Sequence, residues 1–445
     1  MYLKKIFKIG VDNIDINRKK SLIRSNELDK IAIDDMKHKS KVRIGFDDFS
    51  KRLYNNTKNK ILKELNASEK DWNNPKWQLK NRISDVDEIS KYTNLTDEEY
   101  ENIKNVGEKY RFAITPYYFS LIDFDNPTCP IKLQSIPDIK EFNEFGQLDP
   151  MNEEQSNPSG KITRRYPNKL IINVTNACPM YCRHCQRRRL IGNADKNTSK
   201  KYIDESIEFI KNNPTIREVL VTGGDALLLS NKRLEYIFNK LSSIDHVEII
   251  RIGTRTLVTL PFRIDNELAS LLRKYKVQLS TQFNHACEIT PEAVRAIEIL
   301  VDHGVLVRNQ MVLLHNINDD KYCIQKTNEE LQKYRVIPYY LFHPKDIKST
   351  EHFQVDISKG LEIMKHLEGR TSGMCKPTYV YNSPRGLGKV PLVPMENIEY
   401  DGKEYKFTTW ENKTIENVKE ILNKTFFLQT IIKPKFKNCV KNKKK

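Results

Sequence analysis

From Lys169 onward, short apolar runs of strand length alternate with longer stretches in which apolar residues return every three or four positions. The runs KLIINVT, EVLVTGG, VEIIRIG, VQLSTQF, VLVRNQMVLL and VIPYYLF are rich in β-branched residues. Between them, Ile203, Ile207 and Ile210 form one stripe at helical spacing, Leu234, Ile237 and Leu241 a second, and Val294, Ile297 and Val301 a third. A recurrence near every 3.6 residues buries one face of a helix, whereas a parallel strand buried on both faces reads as a continuous apolar run. The alternation therefore predicts six βα units between Lys169 and about Leu367, with a further strand at about Pro377 to Tyr381. That is too few for a closed eight-fold barrel, so an α/β fold built as an open, partial (βα)6 barrel is expected, with its chemistry at the carboxyl ends of the strands.

Residues 1–165 lack this alternation. They show short helical patterns broken by polar turns, including a Thr-x-x-Glu capping signature at Thr96 to Glu99, and predict a mostly helical N-terminal region packed on the barrel. The barrel is expected over 166–392, followed by a C-terminal extension over 393–445. That extension ends in KPKFKNCVKNKKK, which reads as a solvated basic tail.

Composition narrows the class. Hydrophobic residues make up 38% of the 445 and charged residues 30%, enough to bury a core and too polar for a membrane bundle. No apolar run approaches the roughly 18 residues needed to cross a bilayer. The start, MYLKKIFKIGVDN, meets Asp and Asn before a signal-peptide core could form, so a cytoplasmic protein is expected. The 75 Lys and Arg against 58 Asp and Glu leave a charge of +17. Lysines lie scattered among acids along the whole chain, which describes a solvated surface rather than a specific nucleic-acid site; the tail alone would attract polyanions, without sequence preference.

Eight cysteines are present and only three cluster: Cys178, Cys182 and Cys185, in a C-x3-C-x2-C loop directly after KLIINVT. The five scattered ones make no disulfide framework, which fits a reducing compartment. Three thiolates together suit a soft metal centre. Structural zinc would need a fourth ligand, and His184, set between cysteines, is poorly placed to supply it. A four-iron cluster normally takes four cysteines, so three would leave one iron open to a small molecule.

The loop resembles the cluster loop of the radical S-adenosylmethionine (SAM) enzymes. In that superfamily the open iron holds the methionine end of SAM, and reductive cleavage yields an adenosyl radical. TGGDALLL, after the second run, resembles the superfamily's Gly-Gly motif; Gly223, Gly224, Asp225 and Gln310 are the SAM contacts the resemblance implies. The wider chain is more specific. DWNNPKWQLKNRI, FAITPYYFSLID, RRYPNKL, CPMYCRHCQRRR, RIGTRT, FNHACEIT, EHF, GRTSGMCKPTYV and GLGKVP resemble, in order, segments of the lysine 2,3-aminomutase family over roughly Asp71 to Pro391. The resemblance implies a [4Fe-4S] cluster, SAM and pyridoxal 5'-phosphate (PLP), which together move an amino group from Cα to Cβ. It also implies an external electron donor and a homo-oligomer.

Residue by residue, it implies Lys389 as the Schiff-base lysine, Arg165 and Lys169 as partners of the PLP phosphate, and Arg187 as the clamp on the substrate α-carboxylate. Two departures stand out. The family's longer glycine run is here Arg385-Gly386-Leu387-Gly388. A family zinc site is expected to be absent, because the Asn-Asp turn continues as Asp320 and only Cys439 follows Cys375.

Lysine-acting members hold the distant ammonium with two aspartates. The matching positions here are Lys345 and Asn382, one cationic and one neutral. Unit charges about 4 Å apart at an effective dielectric of about 20 interact by roughly 4 kcal/mol, so this change should repel an ammonium and attract a carboxylate. The expected reaction is conversion of L-glutamate to β-glutamate, with lysine or another amino acid as the alternative. A one-residue slip would instead put Asp346 in the pocket and restore an acid there. A radical enzyme modifying RNA, or a metal-stabilised nucleic-acid binder, would need no GLGKVP beside the cysteine loop.

Overall fold

The computed structural model describes residues 15–393, 398–400 and 404–419; the basic tail, Cys439 and the first 14 residues lie outside the described residues. The described residues up to Val393 form one compact unit and those beyond it another. In the second unit, Ile398–Tyr400, Glu404–Thr408 and Thr414–Lys419 pair as an antiparallel sheet.

The first unit is built on a nine-stranded sheet, β1 (Ile162–Tyr166), β2 (Lys169–Asn173), β3 (Glu218–Thr222), β4 (Ile249–Gly253), β5 (Gln278–Thr281), β6 (Val307–Val312), β7 (Ile337–Phe342), β8 (Thr378–Asn382) and β9 (Lys389–Pro391). The strands lie side by side in chain order, and β2 to β8 are parallel. The connections from β2 to β8 carry the helices Lys200–Lys211, Asn231–Ser242, Asn266–Lys274, Pro291–Asp302, Lys321–Lys333 and Ile357–Leu367, which are the six predicted βα units. The sheet curls into an open barrel of the kind the apolar alternation predicts.

Two strands were not legible in the apolar pattern. β1 pairs antiparallel with β2, and β9 antiparallel with β8, one at each edge. ITRRY carries no alternating apolar set, and β9 is only three residues directly after the glycine turn, so pairing rather than periodicity defines both. The turn joining β8 to β9 returns to β1. A Cβ on Gly386 would stand 2.8 Å from Cδ of Arg165, so the turn packs on the β1 side chain although β1 and β9 do not pair.

Helix faces follow the stripes, with one shift. Ile203, Ile207, Ile210, Leu234, Ile237 and Leu241 are buried. In Pro291–Asp302 the fully covered residues are Ala293, Ala296, Ile297 and Leu300, with Val294 and Val301 only partly buried. The core face is centred on alanines, which a stripe of larger residues overlooks. Each buried Ile or Leu contributes about 1.5–3 kcal/mol relative to exposure.

The N-terminal region is helical, and Thr96 and Glu99 close a reciprocal capping box ahead of Asp97–Lys109. It docks through buried polar contacts: Thr115 Oγ1 donates to the Thr259 carbonyl at 2.6 Å, and Tyr117 meets Thr290 Oγ1 at 2.5 Å. Among the described residues no helix is long and apolar enough to cross a membrane.

Candidate active site

A cavity of about 310 Å³ opens at the carboxyl ends of the strands. Its wall brings together residues far apart in sequence. Cys178, Cys182, Cys185 and Arg187 come from the loop after β2; Gly223, Gly224 and Asp225 follow β3; Gln310 is on β6. Lys345 follows β7, Asn382 ends β8, Lys389 begins β9 and Arg165 comes from β1. Of the residues singled out in the sequence, Lys169 is not in this wall. It starts β2, at the strand's amino end, with Nζ 4.7 Å from the Tyr166 ring.

The glycines have a steric reason. Gly223 sits at φ 137°, and a Cβ there would lie 2.3 Å from the Thr175 carbonyl oxygen; on Gly224 it would lie 2.4 Å from that of Ala177. Gly224 N donates to Thr175 O at 2.6 Å and Asp225 N to Ala177 O at 2.7 Å, so the loop after β3 is pressed on the backbone leading into the cysteines. The Asp225 carboxylate accepts from Thr254 Oγ1, Arg255 N and Leu227 N, while burial raises its pKa. Its side chain therefore fixes the loop after β4 from within the cavity wall.

All three clustered cysteines are free thiols. Burial pushes the Cys178 thiol up, and that of Cys185 to about 11, with Cys182 adding to the effect in both. Among the described residues no group of three or more His, Cys, Asp or Glu side chains is placed to hold a metal ion. An iron-sulfur cluster spreads its ligands over different irons, so three free thiols on one cavity wall fit it, and loading must drive off their protons.

The other half of the cavity is cationic. Lys389 Nζ lies 4.4 Å from the centre of the Tyr340 ring and 5.3 Å from that of Phe342, and burial with the charges of Arg251, Lys169 and Arg165 brings its pKa down to about 8. Lys169 thus reaches the site through its field. Burial, with Arg165 and Arg187 next, brings Lys345 down to about 7; its Nζ donates to Gln186 Oε1. Asp346 is exposed and absent from the cavity wall. The buried Nδ2 of Asn382 has no hydrogen-bond partner among the described residues.

One carboxylate sits among these cations, and the sequence did not reveal it. Glu153 accepts from Arg187 Nε at 3.1 Å and Nη2 at 3.0 Å, with Arg165 Nη2 at 3.9 Å. Burial alone would push its carboxyl up, but the Arg187 charge and hydrogen bonds prevail and hold it near 2. Glu153 takes the Nε edge of Arg187, and among the described residues Nη1 has no hydrogen-bond partner beside the cavity.

A partial barrel with three free thiols at its mouth, a glycine loop pressed against them and a lysine of lowered pKa opposite fits a radical enzyme of the SAM-cleaving class. Residues 172–323 match the Radical SAM superfamily. The chain is 53% identical to glutamate 2,3-aminomutase of Clostridioides difficile, over 81% of this chain and 86% of that one. It is 46% identical to L-lysine 2,3-aminomutase of Acetoanaerobium sticklandii, over 74% and 80%, and 45% identical to that of Clostridium subterminale, over 76% and 82%. The chain belongs to the 2,3-aminomutase family of radical SAM enzymes, and is an isomerase. With membership come the family's cofactors, a [4Fe-4S] cluster, SAM and PLP, and the thiols, the glycine loop and the cationic wall fit them.

Proposed function

We propose that the chain is a glutamate 2,3-aminomutase, converting L-glutamate to β-glutamate. The observation that carries this reading is Lys345 in the cavity wall with Asn382, while Asp346 faces solvent. An ammonium-ended substrate would meet a cation and an unpaired amide donor there. A carboxylate would satisfy both, and charge-assisted hydrogen bonds to Lys are about twice as strong as neutral ones.

The remaining wall supports the same division of labour. Cys178, Cys182 and Cys185 hold the cluster, and the loop of Gly223, Gly224 and Asp225, with Gln310, receives SAM. Arg165 takes the PLP phosphate, and Lys169, from the amino end of β2, contributes only its charge. When bound, these cofactors supply the radical and the electron sink. The protein's own part is position and protons. Arg187, steadied along one edge by Glu153, offers its free Nη1 to the substrate α-carboxylate. Lys389, with a pKa near 8, presents about a tenth of its amine in the neutral form at pH 7, against less than about 0.1% for an ordinary lysine, and its Nζ lies against the rings of Tyr340 and Phe342. Lys345 and Asn382 hold the distal carboxylate and so fix Cβ relative to the cluster wall. An external donor supplies the electron.

The test is anaerobic reconstitution with iron, sulfide and PLP, then NMR of glutamate and lysine incubated separately with SAM and dithionite. β-Glutamate from glutamate, with lysine unchanged, is the expected result; β-lysine alone would reject the reading.

A further inference from the structure

A permanently charged side chain that has no part in the reading above meets a sulfur of the cysteine loop. Arg255, in the RIGTRT turn after β4, is 8% exposed, and its backbone N–H is tied to Asp225 at 2.7 Å. Its guanidinium is divided among partners. Nη2 donates to Glu288 Oε1 at 2.6 Å and Gln134 Oε1 at 2.6 Å, and Nε donates to the Gln282 carbonyl at 3.3 Å. Nη1 points the other way, to Cys182 Sγ at 2.7 Å.

Charge balance with Glu288 accounts for Nη2 alone. Glu288 is fully buried and is also served by Tyr118 and the Asn284 backbone, so the network is rigid on that side. A planar fork locked along two edges aims its third group at the sulfur without conformational freedom. We propose that Arg255 sets the reduction potential of the iron-sulfur cluster by donating a charge-assisted hydrogen bond to the sulfur of Cys182.

The inference rests on Cys182 being a cluster ligand. A donor on a ligating sulfur withdraws electron density and stabilises the more negative, reduced cluster over the oxidised one, so it raises the potential. The low-dielectric surroundings enlarge the effect. The redox step is one electron passed from an external low-potential reductant to the cluster, with no bond made or broken. Arg255 acts through Cys182 and is a positioning residue in this sense. It also ties the cluster loop to the N-terminal region through Gln134, so that docking of that region and reducibility of the cluster become one property.

The experiment is an EPR-monitored titration with dithionite and mediators on the full chain, reconstituted anaerobically, comparing the unmodified protein with Arg255→Gln and Arg255→Lys. Iron and sulfide are counted in each sample. Arg255→Gln should lower the potential by at least about 59 mV, a tenfold loss in the reduction constant for one electron. Arg255→Lys, which keeps the charge and loses the fork, should fall between. Loaded variants that titrate like the unmodified protein would overturn the proposal. If unmodified protein binds no cluster, the reading of the cysteine loop fails instead. If the variants do not fold, hyperfine spectroscopy of the reduced, SAM-free cluster in protein labelled with 15N-arginine decides: a weak 15N coupling supports the contact, and its absence overturns it.

Discussion

Replacing Lys345 by methionine keeps the length of the side chain and removes its charge. In the cavity wall Lys345 is half-buried, and of the charged groups acting on it Arg165, Arg187 and Lys389 outnumber the single carboxylate of Glu153, itself engaged by Arg187, so the ammonium prefers an anion. An ion pair at about 4 Å with an effective dielectric of about 20 is worth roughly 4 kcal/mol, and truncating one partner of a buried charge pair costs about 2 kcal/mol or more. Lys345→Met should therefore lower kcat/KM for glutamate by roughly 30- to 1,000-fold, at about 1.4 kcal/mol per factor of ten. The assay is NMR-monitored turnover of glutamate beside norvaline, which has the same backbone and no distal carboxylate. The slow norvaline reaction should change by less than about threefold, the scale of one lost packing contact. Equal losses on both substrates would show that the variant damages the site generally, and the electrostatic argument would be refuted.

Other expectations follow from the same geometry. Because Lys345 is brought down to about 7, its charge is present below that pH and lost above it, so KM for glutamate should rise about tenfold per pH unit above 7 until the bound form also titrates; Lys345→Arg should flatten that rise. Lys389→Ala should abolish the PLP that borohydride fixes covalently to the protein, and in the unmodified enzyme the rate of PLP capture should climb through about pH 8 as the amine deprotonates. Gly224→Ala drives a Cβ to 2.4 Å from the Ala177 oxygen and should cost about 1–3 kcal/mol, read as a lower Tm together with less iron retained per chain.

The sequence showed most of the barrel because its strands are buried on both faces and its helices on one, and each condition leaves a periodic trace. β1 and β9 left none, since an edge strand of three to five residues is defined by its partner. The cysteine loop was legible from spacing at a strand end. The glycines after β3 were legible as special but not as to why; the reason is the carbonyls of Thr175 and Ala177, residues of another strand end. Lys345 against Asp346 could not be separated by alternation, because the segment after β7 is irregular and loses the strand's two-residue period. Lys169 was matched to the phosphate by its motif, and the structure places it at the start of β2, outside the residues that line the cavity. Glu153 left no trace at all. It lies in the polar stretch DPMNEEQ ahead of β1, and its partner Arg187 comes from the loop after the neighbouring β2, a pairing that no local pattern announces.

The central claim is that the far end of the cavity receives a carboxylate, and the measurement that tests it most directly is an anaerobic crystal structure with cluster, SAM, PLP and glutamate bound. The account predicts the distal carboxylate within about 3 Å of Lys345 Nζ and Asn382 Nδ2, the range of charge-assisted hydrogen bonds. A structure with Lys345 turned to bulk water, and Asp346 or another group against the substrate's far end, would contradict it.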